Sequence, residues 1–209
     1  MYTIIFNMKG FFILKITKDF IWKITKTIGK TLNKSDEELE IINYGLQVLI
    51  LNFLKLLLLF ITAYLLGVLK YTFLAVSVFA TLRTFASGVH AKTTLICITS
   101  NYILFLGNVY LSKFINYNFF IILFIFILSM IFIILYSPAD TKERPIINKK
   151  LRKSLKIKSI IVVIIFFIVS IIINIKIYSN IIAFAILEES FCTTPIAYRL
   201  LGKEPRNKI

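Results

Sequence analysis

The only histidine of the chain, His90, lies seven residues before Cys97, one of its two cysteines. An imidazole beside a thiol is the arrangement of a cysteine nucleophile and the general base that activates it. In one continuous helix the two residues would share a face but lie about 10 Å apart along the axis. Because a nucleophile and its base need about 2.6–3.2 Å, a catalytic pair requires a break in the helix between them.

The intervening residues indicate such a break. Ser87-Gly88 is a plausible end for one helix, and Thr93 or Thr94 is a suitable N-cap for the next. Cys97 then falls in the first turn of a helix, where the positive end of the helix dipole stabilises a thiolate. On spacing alone, a packed cysteine and a solvated loop histidine remain the more common alternative.

The rest of the sequence is typical of an integral membrane protein. Apolar residues make up 58% of the 209 positions, and charged residues only 17%. A soluble chain of this length cannot hide so much apolar surface, whereas a bilayer removes that constraint. We therefore predict an all-α, polytopic bundle of about six transmembrane helices. The expected spans are 46–67, 70–86, 94–112, 119–136, 159–176 and 179–200.

The net charge of +15 reflects where the basic residues lie. Seven lysines precede the first span, eight basic residues lie between spans four and five, and four end the chain. The connections on the other side hold one lysine each. This alternation is the positive-inside pattern, which predicts a multi-pass cell-membrane protein with both termini in the cytoplasm. The charge therefore indicates topology and not nucleic acid binding.

The N-terminal segment has a helical pattern over residues 10–30, with lysines on one arc and apolar residues on the opposite arc. This pattern predicts an amphipathic helix in the cytoplasmic headgroup layer. A capping box from Ser35 to Glu38 predicts the start of the helix that leads into span one. We expect one domain, 1–209, with an interfacial part, 1–40, and a transmembrane bundle, 41–209.

Most other kinds of site have no support in the sequence. Two cysteines, one histidine and no close carboxylate cluster provide no metal-ligand spacing. Neither a glycine-rich phosphate loop nor a serine nucleophile elbow is present in the sequence. The sequence therefore predicts no metal ion and no cofactor.

Three sequence blocks together resemble the accessory gene regulator B (AgrB) family of membrane peptidases. Block 83–97 reads Arg…Ser-Gly-Val-His-Ala…Cys and is similar to the family's arginine, glycine pair, histidine and cysteine. Block 137–145 is similar to its Pro-Ala-Asp motif and the start of a basic segment, and block 193–195 to its closing Thr-Pro. Two positions depart from the family pattern: Ser87 replaces a glycine, and the pair 188–189 is Glu-Glu where a neutral polar residue is expected.

The resemblance implies a membrane cysteine endopeptidase that acts on an AgrD-like pro-peptide with an amphipathic leader and an acidic C-terminal tail. Cys97 would be the nucleophile and His90 the general base. Together they would cleave off the tail through a thioester and promote cyclisation of the core. The product would be a thiolactone or lactone autoinducer of quorum sensing. A homodimer would fit the family.

Further residues of the first two blocks are candidates for contacting the substrate, and each also has an alternative role. Arg83, with Ser87 and Gly88 after it, is a candidate for holding a carboxylate or the oxyanion, or for snorkelling at the interface. Asp140 is a candidate for orienting His90, or it caps a helix end.

The basic segment 142–158, including Lys149 and Lys150, is a candidate for receiving the acidic tail. The alternative is that it orients the chain and attracts anionic lipid. Within the spans, Lys55 is expected to pair with Glu188 or Glu189, because a lone charge is costly in a bilayer.

Two other classes of function stay open: a small transporter or exporter, and a non-catalytic membrane scaffold. A transporter needs a polar path through several spans, and the candidate polar residues of span one do not share one helical face. Replacement of Cys97 by serine separates the classes, because only the peptidase should lose its activity while keeping its fold and level.

Overall fold

The computed structural model describes residues 21–28, 31, 35–89, 91, 93–115, 118–140, 145–173 and 175–202. The chain divides into two compact units, Met1–Leu58 and Leu59–Ile209, and the division falls within the first long helix. The described residues are helical throughout apart from the connections, with no strand among them. The expectation of a single domain stays a prediction.

In the smaller unit, residues 21–28 are helical, and Ile21 and Thr25 are buried. The hydroxyl of Thr25 donates a hydrogen bond to the backbone carbonyl of Ile21 and lies 3.4 Å from Oδ1 of Asn43. Most of the expected amphipathic helix, 10–30, lies outside the described residues, so that helix stays a prediction.

From residue 36 onward the described residues form seven helices: α1 (Asp36–Leu65), α2 (Leu69–Ala86), α3 (Thr94–Phe114), α4 (Phe119–Tyr136), α5 (Lys149–Ile172), α6 (Lys176–Cys192) and α7 (Pro195–Leu200). Within α3, Tyr102–Leu106 form a π-helical turn. Four of these helices, α1, α3, α4 and α5, are long and apolar enough to cross a membrane. The all-α membrane fold is therefore confirmed, whereas the count of about six spans is not.

Two helix starts show how local sequence sets the boundaries. At α1 the predicted capping box is present, because the N–H of Ser35 donates to the Glu38 carboxylate (3.1 Å) and the N–H of Glu38 to the Ser35 hydroxyl (3.4 Å). Helix α5 begins at Lys149, well before the expected span at 159, and the Asn148 side chain accepts from the first N–H groups. Hydropathy located the apolar stretch and missed the basic turns before it.

The expected last span, 179–200, is two helices in the structure. Helix α6 ends at Cys192, and α7 starts at Pro195 with Thr194 as its N-cap. The Thr194 hydroxyl accepts from the N–H of Ala197. A proline has no N–H and its ring clashes with the preceding turn, so it is tolerated in the first turn of a helix and interrupts one elsewhere.

Helix α6 is the centre of the larger unit, because α2, α4, α5 and the second half of α3 all pack against it. Alanines and isoleucines are half of its ten buried residues, and Ala183 and Ala185 are completely buried. Small side chains at such positions let neighbouring helices approach closely within a membrane.

A chain of buried polar groups joins the second half of α3 to α6. The Asn108 amide donates to a backbone carbonyl of α6 and to the Glu188 carboxylate, both at 3.3 Å, and the Ser112 hydroxyl donates to Asn108. The Asn180 amide donates to the carbonyls of Ser112 and Ile115. Because lipid offers no hydrogen-bond partners, these bonds hold α3 in a fixed orientation against α6.

We expect Asn180→Ala to lower the stability of the protein by about 1 kcal/mol, because two carbonyls at the end of α3 lose their buried donor. Thermal unfolding in detergent checks this. Asn101→Ala, at a half-buried position of α3 outside this network, is the matched control and should change the unfolding temperature little. An equal loss in both variants would contradict the assigned role of Asn180.

Candidate active site

One end of the larger unit brings the three sequence blocks together. The N–H of Ala139 donates to the carbonyl of Ala86 (2.9 Å), and the N–H of Val89 donates to the carbonyl of Cys192 (3.1 Å). Ser87 pairs with Ala139 in an isolated parallel β-bridge. The end of α2, the segment after α4 and the end of α6 thus meet in one region, which we call the site end.

An ion pair between Arg83 of α2 and Glu189 of α6 lies at the centre of the site end. Its Nη1–Oε2 distance is 2.8 Å, and the Glu189 side chain is completely buried. The second guanidinium nitrogen of Arg83 donates to the carbonyl of Val89, and the guanidinium carbon lies 5.5 Å from the centre of the Phe79 ring. Arg83 therefore compensates a buried carboxylate and fixes the backbone directly before His90.

The expected pairing of Lys55 with Glu188 or Glu189 stays a prediction, because Lys55 belongs to the smaller unit and both glutamates to the larger one. Glu189 binds Arg83, and Glu188 accepts a hydrogen bond from Asn108. The expectation matched ionisable groups by depth in the membrane. The rotation of each helix about its own axis decides which ionisable groups meet, and this rotation cannot be predicted from the pattern of a single sequence.

Ser87 and Gly88 carry the chain past the ion pair in unusual backbone conformations, with φ of 58° and 147°. A Cβ on Gly88 would lie 3.2 Å from Arg83 Nη1 and 3.3 Å from both the Glu189 carboxylate and the carbonyl of Cys192. Glycine is therefore required at 88 for the close approach and for the positive φ. At 87, where the family pattern has glycine, serine adopts the left-handed region despite its side chain.

Cys97 lies near the start of α3. Thr93 is the N-cap, because its hydroxyl accepts from the N–H of Ile96 (3.3 Å), and the N–H of Cys97 donates to the Thr93 carbonyl (3.0 Å). The predicted break between α2 and α3 and the predicted cap are both present. Cys97 is a half-buried free thiol. His90 lies outside the described residues, so its pairing with Cys97 stays a prediction.

Asp140 joins the segment after α4 to α5. Its carboxylate forms an ion pair with Arg152 (2.7 Å) and accepts from the N–H of Ile146 (3.0 Å). Burial alone would raise the pKa of Asp140, but the Ile146 hydrogen bond and the Arg152 charge outweigh it and lower the pKa below its usual value. Asp140 is therefore ionised at neutral pH, and its expected role in orienting His90 stays a prediction.

A cavity of about 330 Å³ opens at the site end between α4, α5 and α7. Asp140 and Tyr198 line it together with one basic face of α5. The basic lining residues are Lys149, Arg152, Lys153 and Lys156. They recur at helical spacing, so extending α5 back to 149 would have identified them from sequence. Lys150, expected to act with Lys149, is exposed and lies outside this lining.

We expect Glu189→Gln to destabilise the protein by about 3 kcal/mol, because the Arg83 charge loses its buried partner. Glu188→Gln is the matched control: its amide oxygen still accepts from Asn108, so the unfolding temperature should change little. The double variant Arg83→Gln/Glu189→Gln should recover part of the loss, since it removes both charges. Thermal unfolding of the wild type, Arg83→Gln, Glu189→Gln and the double variant measures the coupling between the two charges, and additive losses would contradict it.

Comparison with known proteins adds an independent line of evidence. The family model of accessory gene regulator B matches residues 21–193. An AgrB-like protein of Clostridium acetobutylicum is 29% identical over 88% of this chain and 90% of its own length. The accessory gene regulator protein B of Staphylococcus intermedius is 34% identical (84% and 93% covered), and that of Staphylococcus aureus strain bovine RF122 is 32% identical (75% and 83% covered).

No solved structure matches the chain. The family match nevertheless extends over most of the sequence and includes the Arg83–Glu189 ion pair, Cys97 and the basic cavity up to Thr193. Two of the three relatives exceed 30% identity over most of both chains. The chain belongs to the accessory gene regulator B family.

Proposed function

We propose that this membrane protein is a cysteine endopeptidase that removes the C-terminal tail of an AgrD-like pro-peptide and promotes cyclisation of the remaining core. Its family acts in accessory gene regulator quorum sensing, which requires a pro-peptide. Cys97 is the proposed nucleophile and His90 its general base. Both termini are proposed to be cytoplasmic, so that the site end faces the cytoplasm.

The observation that carries the proposal is the fixed backbone on either side of His90. Val89 is buried, and both its N–H and its carbonyl are hydrogen-bonded at the site end. Thr93 caps α3 four residues later. Four residues span at most about 14 Å, and Cys97 lies only about 6 Å further along the helix axis. These lengths are compatible with an approach of His90 to Cys97, and the pairing of the two side chains is part of the proposal.

The proposed chemistry proceeds in two steps. The Cys97 sulfur attacks the carbonyl at the junction of core and tail, and His90 takes the thiol proton and returns it to the leaving amine. The C–N bond breaks, the tail departs, and the core remains bound as a thioester. A thiol or hydroxyl of the core then attacks the thioester, which closes the ring and releases Cys97, whose sulfur regains a proton through His90.

The position of Cys97 favours the first step. At the start of α3, the positive end of the helix dipole stabilises an oxyanion that develops beside the Cys97 sulfur. The second step exchanges one ester-like bond for another and has little driving force, so hydrolysis must be avoided. A site at the membrane surface limits water and holds the two ends of the core together.

We expect Cys97→Ser and His90→Ala to abolish release of the tail when the protein is co-expressed with its pro-peptide, since the acyl transfer loses its nucleophile or its base. Mass spectrometry of the peptide and immunoblotting of the membrane fraction measure product and protein level. Cys192→Ser is the matched control, because that thiol is buried in α6 and is not part of the proposed chemistry.

Continued tail release by Cys97→Ser at the wild-type level would exclude the cysteine peptidase. Loss of release in all three variants, with reduced protein levels, would indicate that the variants misfold. The nucleophile is then tested with purified wild-type protein. Trapping of a covalent Cys97–core adduct from wild type at acid pH then distinguishes the nucleophile from a structural cysteine.

The basic cavity is the proposed docking place for the acidic tail. Lys149, Lys153 and Lys156 line it, whereas Arg152 is already neutralised by Asp140. The cavity adjoins the segment 137–140 that is bonded to the end of α2, so a tail bound there begins next to the region of His90. Attraction of anionic lipid by the same lysines is the alternative.

We expect Lys153→Glu to raise the KM for the pro-peptide about fivefold, which corresponds to about 1 kcal/mol of lost and reversed charge interaction. Lys150→Glu makes the same charge change on the same helix outside the cavity lining and should leave KM nearly unchanged. A pro-peptide whose tail acids are replaced by lysines should prefer the Lys153→Glu enzyme. Equal effects of both substitutions would support the lipid alternative.

A further inference from the structure

We propose that the π-helical turn Tyr102–Leu106 is a positioning element that turns Cys97 away from α6 and toward α2, the helix that leads to His90. This inference rests on the proposed function, because the orientation of Cys97 matters only if its thiol reacts. The π-turn lies between the half of α3 that carries Cys97 and the half that is fixed in the bundle.

The two halves of α3 differ in how they are held. In Gly107–Phe114, three residues are buried, the Asn108 side chain donates to α6, and the Ser112 hydroxyl donates to Asn108. In Thr94–Asn101, no residue is buried. The orientation of Cys97 is therefore set mainly by the fixed half and transmitted through the π-turn.

A π-turn holds one more residue than the α-helical turn it replaces, so it removes about 100° of rotation between the two halves. In an uninterrupted α-helix, Cys97 would lie within about 20° of Asn108, the residue that faces α6. With the π-turn it lies about 80° away from Asn108 and within about 20° of Phe105. The turn thus moves the thiol from the Asn108 face to the Phe105 face.

The Phe105 face is the one that packs on α2. Phe105 is buried and contacts Phe79 edge-to-face, with ring centroids 5.2 Å apart. Phe79 in turn lies one helical turn before Arg83 and against its guanidinium. On the other side of the π-turn, the hydroxyl groups of Tyr102 and Thr62 are 2.8 Å apart, which joins the turn to α1.

Insertion of one alanine after Ser100 tests the inference, because it leaves the π-turn in place and rotates Cys97 by about 100° relative to the fixed half, back to the Asn108 face. We expect kcat for tail release to fall at least 100-fold, while KM for the pro-peptide and the unfolding temperature stay near the wild-type values. Deletion of Ile103, whose side chain is 67% exposed, is the matched control. It replaces the π-turn by an α-helical turn with one residue fewer, so the two halves keep their relative rotation and kcat should stay within about twofold of wild type. In the deletion variant, the same insertion restores the length of α3 without the π-turn and should lower kcat as the insertion alone does.

A second readout does not depend on catalysis. In a Cys192→Ser background, spin labels at Cys97 and at an introduced Thr81→Cys on α2 report the distance between the two helices' side chains by electron paramagnetic resonance. Insertion of the alanine after Ser100 should lengthen this distance by about 5 Å, since the label crosses from one side of a helix about 10 Å wide toward another, whereas deletion of Ile103 should leave the distance unchanged.

Unchanged distance and wild-type kcat in the insertion variant would overturn the inference even if Cys97→Ser has already established the nucleophile. A lengthened distance with unchanged kcat would show that the turn orients Cys97 but that catalysis does not need this orientation, which also overturns it. If Cys97→Ser itself keeps activity, the proposed function fails first, and the distance measurement still reports the orientation.

Discussion

The ion pair between Arg83 and Glu189 is the interaction on which the site end depends. A carboxylate that is completely buried in the helix bundle needs a cation, and Arg83 supplies it from the last turn of the neighbouring helix. The same guanidinium donates a hydrogen bond to the carbonyl of Val89. One side chain therefore both neutralises Glu189 and fixes the backbone at Val89. Gly88 makes this geometry possible, since any larger residue would push the chain away from the pair.

The features that could be predicted from sequence are those with local causes. The Ser35–Glu38 capping box, the break after Ala86 and the Thr93 cap each follow from residue types a few positions apart. The interruption before Pro195 also has a local signal, but a hydropathy window averages over it. The basic face of α5 was missed for the same reason, because the helix was expected to begin where its apolar residues begin.

The partners of the buried polar groups could not be predicted, because they depend on how each helix is rotated against its neighbours. Asn108 and Asn180 look unremarkable in the sequence, yet they supply the donors that join α3 to α6. Nothing in the residues 102–106 indicates a π-helical turn, which arises from the packing on either side of it. These contacts also bear on the transporter alternative: the polar groups between α3 and α6 are used to bind the helices to each other.

The length of α6 has a consequence for where the proposed reaction would take place. Its 17 residues rise about 26 Å, several ångströms less than the roughly 30 Å of a bilayer's hydrocarbon layer. If Lys176 lies at one headgroup boundary, the carbonyl of Cys192 lies below the other, and so does the Val89 backbone bonded to it. The site end would then form a shallow depression in the membrane surface, at the depth expected for the amphipathic leader of the proposed pro-peptide. Such a pro-peptide, diffusing in the plane of the membrane, would reach the site end without leaving the lipid, which reduces a three-dimensional search to a two-dimensional one.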